Sequence, residues 1–195
     1  MNEELHDMLI DQLRDAHSAE KQAVQLMKRV LRKTTHPQLR EGIEAHIQQS
    51  ESQRERVEQC LEQLGGRVGR KVCEAMRGLA EEAQHEMDEH DKGPLLDVIV
   101  VAAQQRIEHY EIASYGTMAE LAKAMGHEQE GQVLGEILQE EKQQDERLTQ
   151  LTREMLLPEL MEGEEMEEDE EEEGGEEEEG APPRRTASRG TTRKR

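Results

Sequence analysis

Leu9-Ile10-Asp11-Gln12-Leu13-Arg14-Asp15-Ala16-His17-Ser18-Ala19-Glu20-Lys21-Gln22-Ala23 is the stretch that decides the fold class. Leu9, Leu13, Ala16 and Ala23 step by three or four residues, the period that gathers side chains on one face of an α-helix. Glu20 stands in that series where an apolar residue is due. The pattern extends outward to Leu5, Met27 and Val30, so a first helix is expected from Glu3 to Lys33, with one carboxylate on its buried stripe.

The same period recurs three times more at helix length. Thr34-Thr35-His36-Pro37 ends the first helix and opens a second, whose buried face carries Leu39, Ile43, Val57, Leu61 and Leu64 before Gly65-Gly66 stops it. A third is expected from Asp91-Lys92-Gly93-Pro94 to Met125, with Leu96, Ile99, Ala103, Ile107, Tyr110 and Leu121 inward and Gly126 at its C-terminal end. A fourth runs from Glu128 to Leu157 through Leu134, Ile137, Leu138, Leu148, Leu151 and Met155, and Pro158 closes it. Residues 67–93 are too long for a simple hairpin loop and contain their own helical pattern, so they are expected to cross the bundle. Two long hairpins joined by one long crossover give an all-α, ferritin-like antiparallel four-helix bundle over residues 1–157. With no Phe, no Trp and ten Met, its core rests on aliphatic side chains, which suits helices better than strands.

Composition narrows the partners. The net charge is −21, and residues 158–195 carry 15 acidic and 6 basic side chains, so the helical part is acidic in its own right. Cations are favoured partners, and nucleic acid is not, except through the basic end Arg193-Lys194-Arg195. The glutamate runs of 158–195 bury too little apolar surface to fold and read as a disordered tail, acidic and then basic. Charges interrupt every apolar run well short of the roughly 20 residues a membrane span needs, so a cytoplasmic protein is expected. Cys60 and Cys73 fit neither a disulfide framework nor a zinc pattern.

Acids that interrupt the apolar stripes carry the functional information, because a buried carboxylate must be paired, protonated or bound to metal. Glu20 lies on the first helix, Glu108 and Glu111 flank the inward Ile107 and Tyr110, and Glu141 and Asp145 fill two inward steps before Leu148. His46, Gln49 and Gln53 lie on the inner side of the second helix. Glu20 is 15 residues before Thr35 and Glu111 is 15 before Gly126, so the hairpins should set these groups at one depth. Carboxylates meeting there with a histidine would repel one another, and divalent cations would neutralise them. The plainer alternative seats each acid at the rim of its stripe, solvated or paired with Arg14, Lys21, Arg106 or Lys142. His17, His85, His90 and His109 stand off the inner faces, and Tyr110 and Tyr115 read as core residues or supports of the inner acids.

The chain resembles the YciE/YciF-type ferritin-like proteins, a bacterial stress-associated family, over residues 1–155. The resemblance rests on Ala19-Glu20-Lys21-Gln22, His36-Pro37-Gln38-Leu39, Ala45-His46, Cys73-Glu74-Ala75-Met76, Glu108-His109-Tyr110-Glu111 with Tyr115-Gly116, and Glu140-Glu141-Lys142 with Asp145. It implies a ferritin-like bundle, dimeric, with a di-metal centre like that of non-haem di-iron proteins. The chain departs from the family after His46, where Ile47-Gln48-Gln49-Ser50 offers amides in place of acids, and Gln144 stands where an inner histidine would complete a Glu-x-x-His pair.

Two functions follow as expectations. In one, Glu20, His46, Glu108, Glu111, Glu141 and Asp145 hold one or two iron or manganese ions, and oxidant enters through positions left open by Gln49 and Gln53. In the other, a metal-free homodimer acts as an interaction or scaffold protein through its charged tail. No nucleophile motif, phosphate-binding glycine loop or dinucleotide fingerprint supports a hydrolase or transferase.

Overall fold

Five α-helices form among the described residues, 3–162, of the computed structural model: α1 Glu3–Val30, α2 Pro37–Gln63, α3 Glu74–Asp88, α4 Pro94–Ala124 and α5 Glu128–Leu151. The protein is all-helical over this range, and the fifth element, α3, lies within the expected crossover. Residues 163–195, most of the expected tail, lie outside the described residues.

The punctuation read from the sequence acts through identifiable bonds. His36 caps α2, its Nδ1 accepting the Leu39 N–H at 3.4 Å, and Pro37 occupies the first turn, where a missing N–H costs nothing. Gly65 and Gly126 take left-handed φ of 78° and 85° after α2 and α4, a conformation that costs glycine little. Cys73 caps α3 with its thiol, which accepts the Met76 N–H at 3.4 Å.

Pairs along α1 and α2 run in opposite senses: Lys28 meets Glu51, His17 approaches Glu58, and His6 reaches the Leu64 carbonyl. The two helices are therefore antiparallel. On α4 and α5, Gln105 bonds Asp145 and Thr149 while Gly116 faces Leu138, which is the same arrangement. Helix α1 also packs on α4, α2 on α5, and α3 lies on α1 and α4.

The apolar core is split in two. One cluster joins Ala23, Met27 and Val30 of α1 to Leu39 and Ile43 of α2, Met76 and Met87 of α3, Leu96 and Val100 of α4, and Leu148. The other joins Leu9 and Leu13 to Val57 and Leu61, Tyr115 and Met118, and Leu134 and Ile137. Each long helix contributes its opposite halves to the two clusters, and the polar residues between those halves form a buried belt.

The α1–α2 turn is held by a residue that sequence periodicity does not flag. Asp97, 1% exposed on α4, accepts from Thr35 N–H at 2.9 Å, Thr35 Oγ1 at 2.5 Å and His36 N–H at 2.8 Å. Asp97→Ala strands these donors and is expected to lower stability by about 2–4 kcal/mol. The measurement is a fall in the urea midpoint with unchanged slope, and Asp97→Asn should lose less.

Pro158 does not end the last helix, contrary to expectation. The backbone widens over Thr152–Leu156, where Leu157 N–H bonds the Thr152 carbonyl five residues back, and helix resumes through residue 162. The extra residue in this turn accommodates a proline that would break a regular ladder. His36 Nε2 lies 3.4 Å from Glu159 Oε1 in the resumed helix. No helix among the described residues is long and apolar enough to cross a membrane.

Candidate metal centre

The belt is built by helical spacing. On α4, Gln104, Glu108, Glu111 and Tyr115 follow steps of four, three and four, and all are buried. On α2 the buried positions between Ile47 and Val57 are Ser50 and Gln53, with His46 beside Ile47; on α5, Glu141 and Gln144 lie between Ile137 and Leu148. Glu20 fills the matching step of α1 and is fully buried.

Three of these side chains converge. One ligand atom each from His46, Glu108 and Glu141 lie within 4.8 Å of one another, and all three residues are buried. His46 Nε2 is 3.1 Å from Glu108 Oε1. Gln53 donates its amide to Glu141 Oε1 and, at 3.0 Å, to Glu140 Oε2, which also pairs with Arg56. Gln53 is therefore engaged rather than an open position; it positions Glu141. Tyr115 donates its hydroxyl to Glu20 Oε1 at 2.5 Å.

Several polar atoms of this group have no hydrogen-bond partner despite burial: Glu20 Oε2, His46 Nδ1, Glu108 Oε2, Glu111 Oε1 and Glu141 Oε2. Burial pushes Glu20 and Glu108 up to about 8, and neighbouring carboxyls add to the shift, Glu141 at Glu20 and Glu20 at Glu108. Burial and adjacent carboxyls hold Glu111 and Glu141 well above the ordinary carboxylate range. Without a cation, burial and mutual repulsion therefore favour the protonated form of these acids. The donor set of one imidazole and several carboxylates suits iron, manganese or zinc, and the unpartnered oxygens are the acceptors such an ion would use.

Glu20, His46, Glu108, Glu111 and Glu141 all join the belt. Asp145 is turned to the α4–α5 groove, where Gln105 donates to its Oδ1 at 3.0 Å and His109 Nε2 lies 3.5 Å away. Gln49 is half-buried at the edge of a cavity next to His46. His109 and His85 are exposed, as expected from their positions. Gln104 was missed: it is 2% exposed with both amide atoms unpartnered, and its place four residues before Glu108 was the available signal. Also unforeseen is a chain in which Tyr110 donates to Asp15 at 2.7 Å and lies 3.0 Å from the Cys73 thiol.

Residues 4–161 match the family described as a domain of unknown function, DUF892. Protein YciF of Escherichia coli (strain K12) is 38% identical over 148 residues, spanning 75% of this chain and 89% of that protein. The crystal structure of the E. coli stress protein YciF aligns with a TM-score of 0.72 at 38% identity, over 77% of this chain and 95% of that one. YcfI from Rhodopseudomonas palustris gives a TM-score of 0.72 at 33% identity, covering 74% and 92%. A Xanthomonas campestris pv. campestris protein gives 0.68 at 26% identity, covering 82% and 99%.

Proposed function

The chain belongs to the DUF892 family, and on that premise we propose that its four long helices act as a ferritin-like bundle whose polar belt binds one or two iron or manganese ions in a stress-associated role. The observation that carries this reading is the set of buried, unpartnered oxygens beside the three converging donors His46, Glu108 and Glu141. These three would hold one ion, and Glu20 and Glu111, which supply further unpartnered oxygens, would hold a second.

A bound ferrous ion would give up one electron and become ferric, with peroxide or dioxygen accepting the electron. The chain's own residues prepare the place: Gln53 fixes Glu141, Tyr115 fixes one oxygen of Glu20, and the two apolar clusters exclude water from both ends of the belt. The carboxyls must release protons to the solvent as a cation enters, so affinity rises with pH through neutrality.

Anaerobic Fe(II) titration of the full chain tests the reading. Saturable binding lost in Glu20→Ala and Glu141→Ala supports it, and no binding tighter than about millimolar overturns it. One observation favours a second reading, a metal-free dimeric interaction protein: Glu20, Glu108 and Glu141 each already have one partner, Tyr115, His46 and Gln53. Deleting residues 158–195 separates the two, since metal binding survives the deletion and tail-borne partner binding does not.

A further inference from the structure

The belt is flanked along the bundle by the two apolar clusters, through which a bare charge passes only at high cost, so a cation has to come in from the side, between helices. A lateral chain of polar groups runs from the belt to the surface between α2 and α5. Gln53, 0% exposed, donates its amide nitrogen to two neighbouring carboxylates: buried Glu141 and, at 3.0 Å, half-buried Glu140. Glu140 in turn pairs with the Arg56 guanidinium, and both of these side chains reach solvent. A single amide group thus separates a belt carboxyl from a carboxylate that water touches.

Glu140 also lines an open groove of about 680 Å³ along α5. The charged groups of its lining are three carboxylates, Glu128, Glu136 and Glu140, and one ammonium, Lys123, which is already paired with Glu120 at 2.9 Å. A cleft whose walls carry one sign of charge concentrates ions of the other sign and speeds their arrival. At the inner end of the chain, Gln53 Oε1 and Glu141 Oε2 are buried with no hydrogen-bond partner. Amide and carboxylate oxygens suit a hard divalent cation such as manganese. Asp145, another half-buried acid of α5, accepts from Gln105 and makes no hydrogen bond to a belt carboxyl among the described residues.

We propose that Glu140 is the entry carboxylate of the metal centre: divalent cations gathered in the acidic groove displace Arg56 from Glu140 and pass the Gln53 amide to reach Glu141. The claim rests on the proposed metal reading. In the metal-free chain the Arg56 guanidinium fills the place of the arriving cation and holds the Glu140 side chain towards Gln53. Glu140 acts on passage and not on the final coordination. Its loss therefore slows entry and exit by the same factor and leaves the affinity set by His46, Glu108 and Glu141.

Mn(II) uptake by the full chain, followed as loss of the free-ion electron paramagnetic resonance signal after rapid mixing, tests this together with release into excess chelator. In Glu140→Gln both rate constants should fall by about tenfold, with the number of ions bound unchanged. Glu140→Asp should recover most of the rate. Glu146→Gln, which removes an equal charge from an exposed position of α5, should match the wild type, and Arg56→Gln should speed uptake. Wild-type rates in Glu140→Gln overturn the proposal. So does slower uptake with unchanged release, or equal slowing in Glu146→Gln, either of which reduces Glu140 to a distant charge. Slowing in Asp145→Asn but not in Glu140→Gln places the entry between α4 and α5 and also overturns it. In each of these cases saturable Mn(II) binding that is lost in Glu141→Ala keeps the metal reading, whereas a wild-type chain that binds no Mn(II) removes both.

Discussion

Raising the pH from 5 to 8 is expected to destabilise the metal-free protein, by up to about 1.4 kcal/mol per pH unit for each belt carboxyl that keeps its proton only in the folded state. Glu20 and Glu108 rise from 4.5 to about 8 on folding, chiefly through burial. Between those values the folded state binds protons that the unfolded chain has released, so unfolding gains ground as pH increases. The contribution is fully present below 4.5 and lost as the pH passes about 8. Urea midpoints in chelator at pH 5, 6, 7 and 8 should fall steadily, and saturating Mn(II) should level or reverse the trend, because a bound cation replaces those protons. A flat profile in chelator would mean that water reaches the belt and solvates the acids.

Glu141→Gln is expected to move stability and metal affinity in opposite directions. Removing one ionisable group from a buried cluster of carboxyls should stabilise the metal-free protein at pH 8 by about 1–3 kcal/mol, while the amide still accepts from Gln53. The same change removes a converging oxygen donor, and Fe(II) or Mn(II) affinity should fall about a hundredfold or more. Urea unfolding in chelator and metal titration on one preparation check both halves. A variant that loses stability along with metal affinity would make Glu141 a structural residue whose loss disorders the belt.

Much of this was legible because helix period and turn chemistry are local. The stripe Leu9, Leu13, Ala16, Glu20, Ala23 placed a carboxylate inside from spacing alone, and equal distances from the two turns placed Glu20 and Glu111 in one belt. His36-Pro37 and Gly126 marked helix ends because a cap and a left-handed turn need only neighbouring residues. What escaped was set by side-chain direction and by contacts distant in sequence. Asp145 lies one turn beyond Glu141 yet points to Gln105, a difference of helix face that spacing of three and four cannot resolve. Asp97 meets Thr35 only because the start of α4 lies over the α1–α2 turn, and Gln53 proved to be a donor to Glu141 rather than a gap. The helix past Pro158 depends on a widened turn that no residue pattern announces.

We propose that the belt's buried carboxylates hold a cation. Native mass spectrometry of the full chain, purified without chelator from iron- and manganese-supplemented cells, tests it most directly, with Glu141→Ala alongside. One or two iron or manganese ions per folded chain, absent from the variant, is the expected result. A folded wild-type chain that carries no metal from such cells would contradict the claim and leave the belt as a set of protonated, self-paired acids.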